Sequence, residues 1–195
     1  MNKLILASSS PRRRELLEQI GVLFDVKVAD VDETPLAGES PEDYVQRLAI
    51  AKARKVAQDL EQPCLGSDTS VVLNGTIFGK PQNDADARQM LRALSGQSHQ
   101  VMSAVAIVQY SQAGERSDVQ LVSTKVTFKN LTSDQIDKYI ATGEPADKAG
   151  AYGIQGKGAL LVAGIEGSYS NVVGLPLTET AVLLEQYDIP YWQNS

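Results

Sequence analysis

The chain has few of the residues that build redox, metal and membrane sites. Its 195 residues include one cysteine, Cys64, and one histidine, His99. A single cysteine excludes an intrachain disulfide and a cysteine-rich zinc site. The apolar stretch 158–165 is among the longest, far below the roughly 18 residues of a membrane-spanning helix. The apolar run 4–7 is shorter than the roughly 7 to 15 residues of a signal peptide, so we expect a cytoplasmic protein.

The chain also lacks an excess of positively charged residues. The chain has 18 Lys and Arg against 24 Asp and Glu, a formal net charge of −6. Nucleic acids and acidic membranes are bound by net basic faces, so we expect neither as a partner. Any anion site has to be a local cluster of cations.

The pattern of elements favours one mixed α/β domain over residues 1–195. Hydrophobic residues at 43% and charged residues at 22% are ordinary for a globular protein, and we find no repeat or linker. Strands are predicted at 3–7, 22–28, 71–73, 101–110, 119–129 and 159–165, and helices at 11–21, 40–60, 84–94, 132–143 and 176–187. Strands alternate with helices early, and a hairpin with its turn at 111–118 follows. This order indicates a mixed twisted sheet flanked by helices.

Three arginines occupy the first turn of a predicted helix. The pair Ser10-Pro11 suits the N-cap and the first helical position, which puts arginines 12–14 in that turn. The helix dipole is positive there, so these cations cost free energy unless an anion offsets them. A polyphosphate meets that need, because helix N-termini bind phosphate and the three preceding serines add hydroxyl donors. A solvated basic turn is the alternative.

Lys52 falls on the apolar side of the helix predicted at 40–60. At about 100° per residue, its side chain lies among Leu48, Ala49 and Val56. An inward-facing lysine must be paired, line a cleft, or extend its ammonium group to water. Beside the arginine-rich turn we interpret it as a phosphate-binding lysine, with the extended conformation as the alternative.

Two carboxylates, Glu33 and Asp68, are predicted in or just after loops at strand ends. Small neighbours, Gly66, Ser67 and Thr69, leave room for a ligand beside Asp68. Carboxylates that meet a phosphate substrate usually hold Mg²⁺ or Mn²⁺, and one of them can act as a base toward water. The alternative is a turn or capping role for each.

Two glycine-containing runs do not match the nucleotide-binding motifs that they suggest at first sight. The run 79–81 lacks the hydroxyl residue and upstream glycine of a phosphate-binding loop, and 153–158 has the wrong glycine order for a dinucleotide fingerprint. His99 is expected to be a buried or hydrogen-bonded structural residue rather than part of a Ser-His-Asp triad. Trp192 is expected to be a packing residue.

A series of short motifs follows along nearly the whole chain. They are Ser8-Ser9-Ser10-Pro11-Arg12-Arg13, Glu33, Lys52, Gly66-Ser67-Asp68-Thr69, Gly79-Lys80-Pro81, Leu94-Ser95-Gly96, the run 147–156 (DKAGAYGIQG) and Val173-Gly174-Leu175-Pro176-Leu177. In this order they resemble the Maf family of nucleoside triphosphate pyrophosphatases, first described as inhibitors of septum formation. The resemblance implies an ITPase-like α/β fold with two lobes around a deep cleft, often as a homodimer. It also implies hydrolysis of a nucleoside triphosphate to the monophosphate and pyrophosphate with Mg²⁺ or Mn²⁺.

The resemblance also implies roles for individual residues. Asp68 matches the catalytic acid/base position and a metal ligand, and Glu33 matches a carboxylate that binds the metal or positions water. The residues that match substrate-binding positions are Ser8, Arg12, Arg13, Lys52, Thr69, Lys80 and Gln155.

Three of these positions resemble the branch of the family that acts on dTTP and UTP. They are Arg12, Thr69 and Gln155, where the branch acting on 7-methyl-GTP carries Trp, Gln and Glu. A glutamine amide can accept from the N3–H of a pyrimidine and donate to a ring carbonyl, whereas Glu suits the N–H donors of guanine. The alternatives are a purine pyrophosphatase acting on ITP or 7-methyl-GTP, and a nucleotide-binding regulator of cell division that turns nothing over.

Overall fold

A mixed sheet forms the centre of the computed structural model, which describes residues 3–193. Within these residues the sheet has seven strands: β1 (Leu4–Leu6), β2 (Phe24–Val26), β3 (Cys64–Leu73), β4 (Thr76–Phe78), β5 (Ser98–Ser111), β6 (Gly114–Phe128) and β7 (Val162–Glu166). The helices are α1 (Pro11–Gln19), α2 (Pro41–Ala57), α3 (Asp84–Leu94), α4 (Ser133–Ile140), α5 (Tyr169–Val173) and α6 (Leu177–Gln186). Short 3₁₀ turns cover Glu144–Asp147, Ala149–Ala151 and Gly156–Leu161. The predicted mixed α/β class is confirmed.

The edge of β3 that faces β1 and β4 has a gap. The strand order is β2-β1-β3-β5-β6-β7, and β4 also pairs with β3. Parallel β1 pairs with Cys64 and Leu65, and antiparallel β4 pairs with residues 71–73. On this edge, no strand among the described residues pairs with 66–70, although β5 pairs with them from the other side. Asp68 stands in the middle of the gap.

Helices cover both faces of the central strands. Successive residues of β5 point to opposite faces, as in any strand. Ala104 and Ala106 pack with α2, whereas Val105 and Ile107 pack with α1 and α6. A separate apolar core lies near the other end of β5 around α3 and α4, and includes Val101. This core is separate from those that α1, α2 and α6 form with the other residues of β5.

Helix α2 packs directly on the main chain of β3 at Gly66. A Cβ atom on this residue would lie 2.2 Å from the Ala49 carbonyl oxygen and 2.6 Å from the Ala53 nitrogen. The glycine therefore makes room for the helix, and our expectation that it leaves space for a ligand is wrong. Because Lys52 lies between these two alanines, this contact sets the distance of its side chain from β3.

Several predicted boundaries are wrong. Asp68 was placed in or after a loop but lies inside β3, because the whole segment 64–72 pairs with β5. The turn predicted at 111–118 is only two residues long, since Ser111 already pairs with Gly114. The polar residues that follow remain in the strand because ladder hydrogen bonds use the backbone, whatever the side chains.

The remaining differences concern the ends of two strands and the exposure of one side chain. The strand predicted at 22–28 is shortened to Phe24–Val26, and the strand predicted at 159–165 is Val162–Glu166 because a 3₁₀ turn precedes it. Trp192 is 79% exposed and contacts the Tyr191 ring edge-on, so it is not a packing residue of the core. The Asn74-Gly75 hairpin turn and the capping box at Thr132 are confirmed. None of the helices within residues 3–193 combines the length and apolarity needed to cross a bilayer.

His99 is a buried structural residue, as predicted. Its Nε2 lies 2.7 Å from the Tyr152 hydroxyl, and its ring packs edge-on against Phe128. Its Nδ1 has no hydrogen-bond partner among the described residues. Burial lowers the pKa of His99 from 6.5 to about 4, so the ring is neutral in the folded protein at neutral pH.

Replacing His99 with Gln should change how stability depends on pH. Between pH 6.5 and about 4 the unfolded chain binds a proton at His99 that the folded chain excludes. As the pH is lowered through this window, the free energy of unfolding of the unsubstituted protein should therefore decrease, by up to about 1.4 kcal/mol per pH unit from this residue. His99→Gln should lack that component. Urea titrations across the window measure the difference, and parallel pH profiles would contradict the assignment.

Candidate active site

A cavity of about 820 Å³ opens at the gap in the edge of β3. Its walls come from the segment after β1, the middle of β3, the segment after β4, helix α2 and the loop 144–156. All the site residues predicted from the sequence line it: Ser8, Arg12, Arg13, Glu33, Lys52, Asp68, Thr69, Lys80 and Gln155. The structure thus brings together residues that lie up to 147 positions apart in the sequence.

The cavity is balanced in charge rather than basic. Cationic and acidic side chains line it in equal number, five of each: Arg12, Arg13, Lys52, Lys80 and Lys148, and Glu15, Glu33, Asp68, Glu144 and Asp147. The expected cluster of cations is present, but it is interleaved with carboxylates. A polyphosphate entering alone would therefore leave the cavity strongly negative.

Lys52 lies between the two predicted metal-binding carboxylates. Its Nζ is 2.7 Å from Glu33 Oε1 and 2.7 Å from Asp68 Oδ1, and only 12% of its side chain is exposed. Of the readings left open for Lys52, the structure shows an inward, paired lysine. Glu33 comes from the irregular segment between β2 and α2, and the Tyr44 hydroxyl on α2 donates to its carbonyl oxygen at 2.8 Å.

The two carboxylates differ in their proton affinity. Burial raises the pKa of Asp68, and the nearby charges of Lys52 and Arg13 offset this only in part, so the pKa lies above its ordinary value. Partial burial also raises the pKa of Glu33, but the hydrogen bond and charge of Lys52 outweigh it and the pKa lies below its ordinary value. Paired acids whose pKa values are pushed apart are typical of sites where one accepts a proton and the other stays charged.

Arg13 connects three walls of the cavity. Its Nε donates to the Gly174 carbonyl at 2.9 Å, and its two terminal nitrogens donate to Ser8 Oγ at 3.3 Å and Thr69 Oγ1 at 3.2 Å. Thr69 is in turn held by Ser103 Oγ at 2.8 Å. The guanidinium group therefore fixes the end of β1, the middle of β3 and the end of α5 relative to one another.

The helix start that carries the arginines forms as predicted. Ser10 is the N-cap of α1 and its side chain accepts the backbone N–H of Arg13, while Pro11 is the first helical residue. No acidic residue lies in the first turn. Pro11 has no N–H, and Arg13 and Arg14 donate theirs to Ser10, so the Arg12 N–H and the arginine side chains together make an anion-binding end of the helix.

Arg12 and Lys80 lie at the more open part of the cavity. Arg12 forms a long ion pair with Asp147, at 3.4 Å, which links α1 to the loop on the opposite wall. Lys80 follows β4, and the Gly79 carbonyl beside it accepts the N–H of Gly150 at 3.0 Å. The β3–β4 hairpin therefore returns Lys80 to the cavity.

Sequence reasoning missed part of the loop wall. Glu144 and Lys148 line the cavity and interact with each other: Lys148 Nζ donates to the Glu144 carbonyl at 2.7 Å. Tyr152 and Tyr44 also line it. Glu144 begins a 3₁₀ turn, Lys148 and Tyr152 lie beside such turns, and Tyr44 lies in the first turn of α2. Spacing gives no sign at these places of which side chains reach a ligand. Asp147 and Lys148 were present in a quoted motif but had no role.

The donor set for a metal ion is small. Within the described residues no group of three or more His, Cys, Asp and Glu side chains could hold a metal ion. Mg²⁺ is commonly bound by one or two carboxylates, with substrate phosphates and water completing its shell. Glu33 and Asp68 fit that pattern, because both already lie against a positive group, the Lys52 ammonium.

The whole chain is similar to known proteins. A family model described as Maf-like protein matches residues 3–187. A dTTP/UTP pyrophosphatase of Nitrosospira multiformis is 52% identical over 206 residues, with 98% of both chains covered. A dTTP/UTP pyrophosphatase of Moorella thermoacetica is 52% identical over 193 residues, again with 98% of both covered.

Likeness to solved structures is weaker. A HAM1 protein from Coxiella burnetii has a TM-score of 0.47 and 22% identity, covering 66% of this chain and 73% of that chain. At this TM-score the likeness carries no argument. The match of the family model and the two relatives at 52% identity show that the chain belongs to the Maf family.

Proposed function

We propose that this protein hydrolyses dTTP and UTP to the monophosphate and pyrophosphate with the help of a divalent metal ion. The observation that carries the proposal is the convergence of four predicted cations and two carboxylates on one cavity. The names of the relatives, dTTP/UTP pyrophosphatase, support the same reaction and substrates.

The triphosphate is bound by the cationic side of the cavity. Arg13, Lys80 and the first turn of α1 present donors to its oxygens, and Ser8 adds a hydroxyl group. Lys52 has three N–H donors, of which two are used by Glu33 and Asp68. Its third donor is free for a phosphate oxygen. These cations stabilise the negative charge that develops on the leaving pyrophosphate.

Glu33 and Asp68 would hold Mg²⁺ or Mn²⁺ together with the triphosphate. Such an ion supplies charge neutralisation and orientation of the phosphate oxygens. The equal numbers of cationic and acidic groups in the cavity support this role, because the cations alone are already offset by carboxylates.

Asp68 is the proposed base. Its raised pKa improves its ability to accept a proton from water, since a base is most effective when its pKa approaches the working pH. The water oxygen forms a bond to the α-phosphorus while its proton passes to Asp68. The bond between the α-phosphorus and the α,β-bridging oxygen breaks, and pyrophosphate leaves with that oxygen. Asp68 lies at the unpaired edge of β3, where a substrate can reach its carboxylate.

Arg12, Thr69 and Gln155 are the proposed substrate-selecting residues. Gln155 is exposed to the cavity from the loop wall and can pair with both N3–H and a ring carbonyl of uracil or thymine. Thr69 is fixed by Ser103 and Arg13, so it offers a small, rigid surface. The homodimer stays a prediction from the family resemblance, and the cytoplasmic location stays a prediction from the shortness of the apolar run 4–7.

A substrate panel tests the proposal directly. Pyrophosphate release should be measured with Mg²⁺ or Mn²⁺ against UTP, dTTP, CTP, ITP and 7-methyl-GTP. Release from UTP and dTTP alone is the expected result. Release from ITP or 7-methyl-GTP would indicate a purine pyrophosphatase, and binding without release would indicate a nucleotide-binding regulator.

Asp68→Asn should lower kcat for UTP by at least about 10²-fold, because general bases contribute roughly 10² to 10⁴. The fold should persist, since Lys52 keeps Glu33 as a charged partner at 2.7 Å. Steady-state pyrophosphate release and circular dichroism measure the two effects. Asp134→Asn, at a 71% exposed side chain on α4, is the matched control. Full activity of Asp68→Asn would remove Asp68 from the mechanism.

Gln155→Glu should shift substrate preference from UTP toward guanine nucleotides. A glutamate accepts from N1–H and the 2-amino group of guanine, but it cannot donate to the carbonyls of uracil. The ratio of kcat/KM for UTP and GTP measures the shift. Gln155→Ala is the control: it should lose activity with UTP without gaining any with GTP. An unchanged profile in Gln155→Glu would refute the base-reading role.

A further inference from the structure

The segment that carries Gln155 is an irregular loop. It begins at Gly153, contains the left-handed residue Gly156 with φ of 69°, and enters the 3₁₀ turn Gly156–Leu161. The Gln155 side chain makes no hydrogen bond within residues 3–193, not even to cap the 3₁₀ turn that it precedes, so the side chain does not fix its own position. A loop of this kind needs external contacts to present an amide at one place.

One carboxylate supplies those contacts. Glu144 Oε2 accepts the backbone N–H of Lys157 at 3.0 Å, and Glu144 Oε1 accepts the backbone N–H of Gly158 at 2.9 Å. Both donors follow Gln155 within three residues. The side chain of Glu144 is half-buried at the wall of the cavity, where competition from water is reduced.

Tyr139 extends the contact to the other end of the loop. Its hydroxyl donates to Glu144 Oε1 at 3.0 Å and accepts the backbone N–H of Gly153 at 3.3 Å. The ring is buried in the core around α3 and α4. Gly153, two residues before Gln155, and Lys157, two residues after it, are therefore attached to the same carboxylate, through the Tyr139 hydroxyl and directly.

The glycines of the loop fit closely around this carboxylate. A Cβ on Gly156 would lie 2.9 Å from Glu144 Oε2, and a Cβ on Gly158 would lie 2.1 Å from the Gly153 carbonyl oxygen. The loop closes on itself with no space for side chains at these positions. The position of Gln155 thus depends on that of Glu144.

The negative charge of Glu144 is stabilised by hydrogen bonds from the protein itself. Burial raises its pKa, but the N–H groups of Gly158 and Lys157 and the Tyr139 hydroxyl outweigh burial, so the pKa lies below its ordinary value. The carboxylate is ionised and each oxygen accepts at least one hydrogen bond from the loop or Tyr139. Both of its carboxylate oxygens are directed at protein groups.

We propose that Glu144 is a positioning residue for base recognition, which acts through the main chain of 153–158 to set the place of the Gln155 amide. The inference rests on the proposed function, because Gln155 recognises a base only if the protein binds a nucleotide. Glu144 would thereby determine selectivity for uracil and thymine without touching the base.

A double-mutant cycle tests the coupling. Glu144→Ala should lower kcat/KM for UTP roughly tenfold to a hundredfold, the range expected for loss of hydrogen bonds to a charged group. If Glu144 acts through Gln155, the same substitution in the Gln155→Ala background should change kcat/KM by less than about twofold. Equal losses in both backgrounds would overturn the proposal. Glu166→Ala, at a 72% exposed carboxylate on β7, is the control.

Glu144→Gln gives a second, milder variant in case the alanine variant folds poorly. Its amide keeps one acceptor oxygen for the loop but places a donor against the other N–H group. We expect a loss in kcat/KM for UTP between those of the unsubstituted protein and Glu144→Ala, and a lower preference for UTP over CTP. A loss of activity with unchanged preference among bases would show a purely structural role.

Amide hydrogen exchange separates this inference from the proposed function. Without any nucleotide, the N–H groups of Lys157 and Gly158 should exchange slowly in the unsubstituted protein and faster in Glu144→Ala, while those of β5 stay unchanged. Equal exchange in both proteins would overturn the positioning role whatever the activity. If the exchange changes as expected but no nucleotide is hydrolysed, the proposed function fails and the loop contact stands.

Discussion

The site is organised around the largely buried ammonium group of Lys52. Removing an ammonium or a carboxylate from water costs several kcal/mol, and only close partners with good geometry offset that cost. Here two carboxylates contact the same nitrogen, Glu33 from an irregular segment and Asp68 from β3. Helix α2 brings the lysine to them. The packing of α2 on the sheet, the course of the segment between β2 and α2, and the extended conformation of β3 all have to agree for this trio to form.

The sheet contributes to the site through the unpaired part of one edge of β3. β1 and β4 share one edge of β3 and, within residues 3–193, leave residues 66–70 between them without a paired strand on that side. Ligands of open α/β sheets commonly bind outside the carboxyl ends of strands, where the chain leaves the sheet in different directions. The segment after β1, with its serines and arginines, and the segment after β4, with Lys80, meet at this place. Distant motifs thereby become neighbours.

The sequence was sufficient where local chemistry decides the structure. Ser10 and Pro11 define a helix start by capping alone, and the inward position of Lys52 follows from helical periodicity. It was insufficient where tertiary pairing decides. Asp68 lies inside a strand because nine residues of β5 pair with residues 64–72 of β3, and no local pattern around a small polar run shows this. Glu144 escaped notice because its partners are main-chain groups, which every residue possesses.

The close approach at Gly66 has a consequence for how the cleft can adapt. Where α2 crosses β3, main chain lies against main chain, so no rotation of side chains can move that wall. Differences in the size of the bound base therefore have to be absorbed across the cleft, by the loop that follows α4. Efforts to redesign the protein for bulkier or modified bases should vary that loop and leave the helix-facing wall as it is.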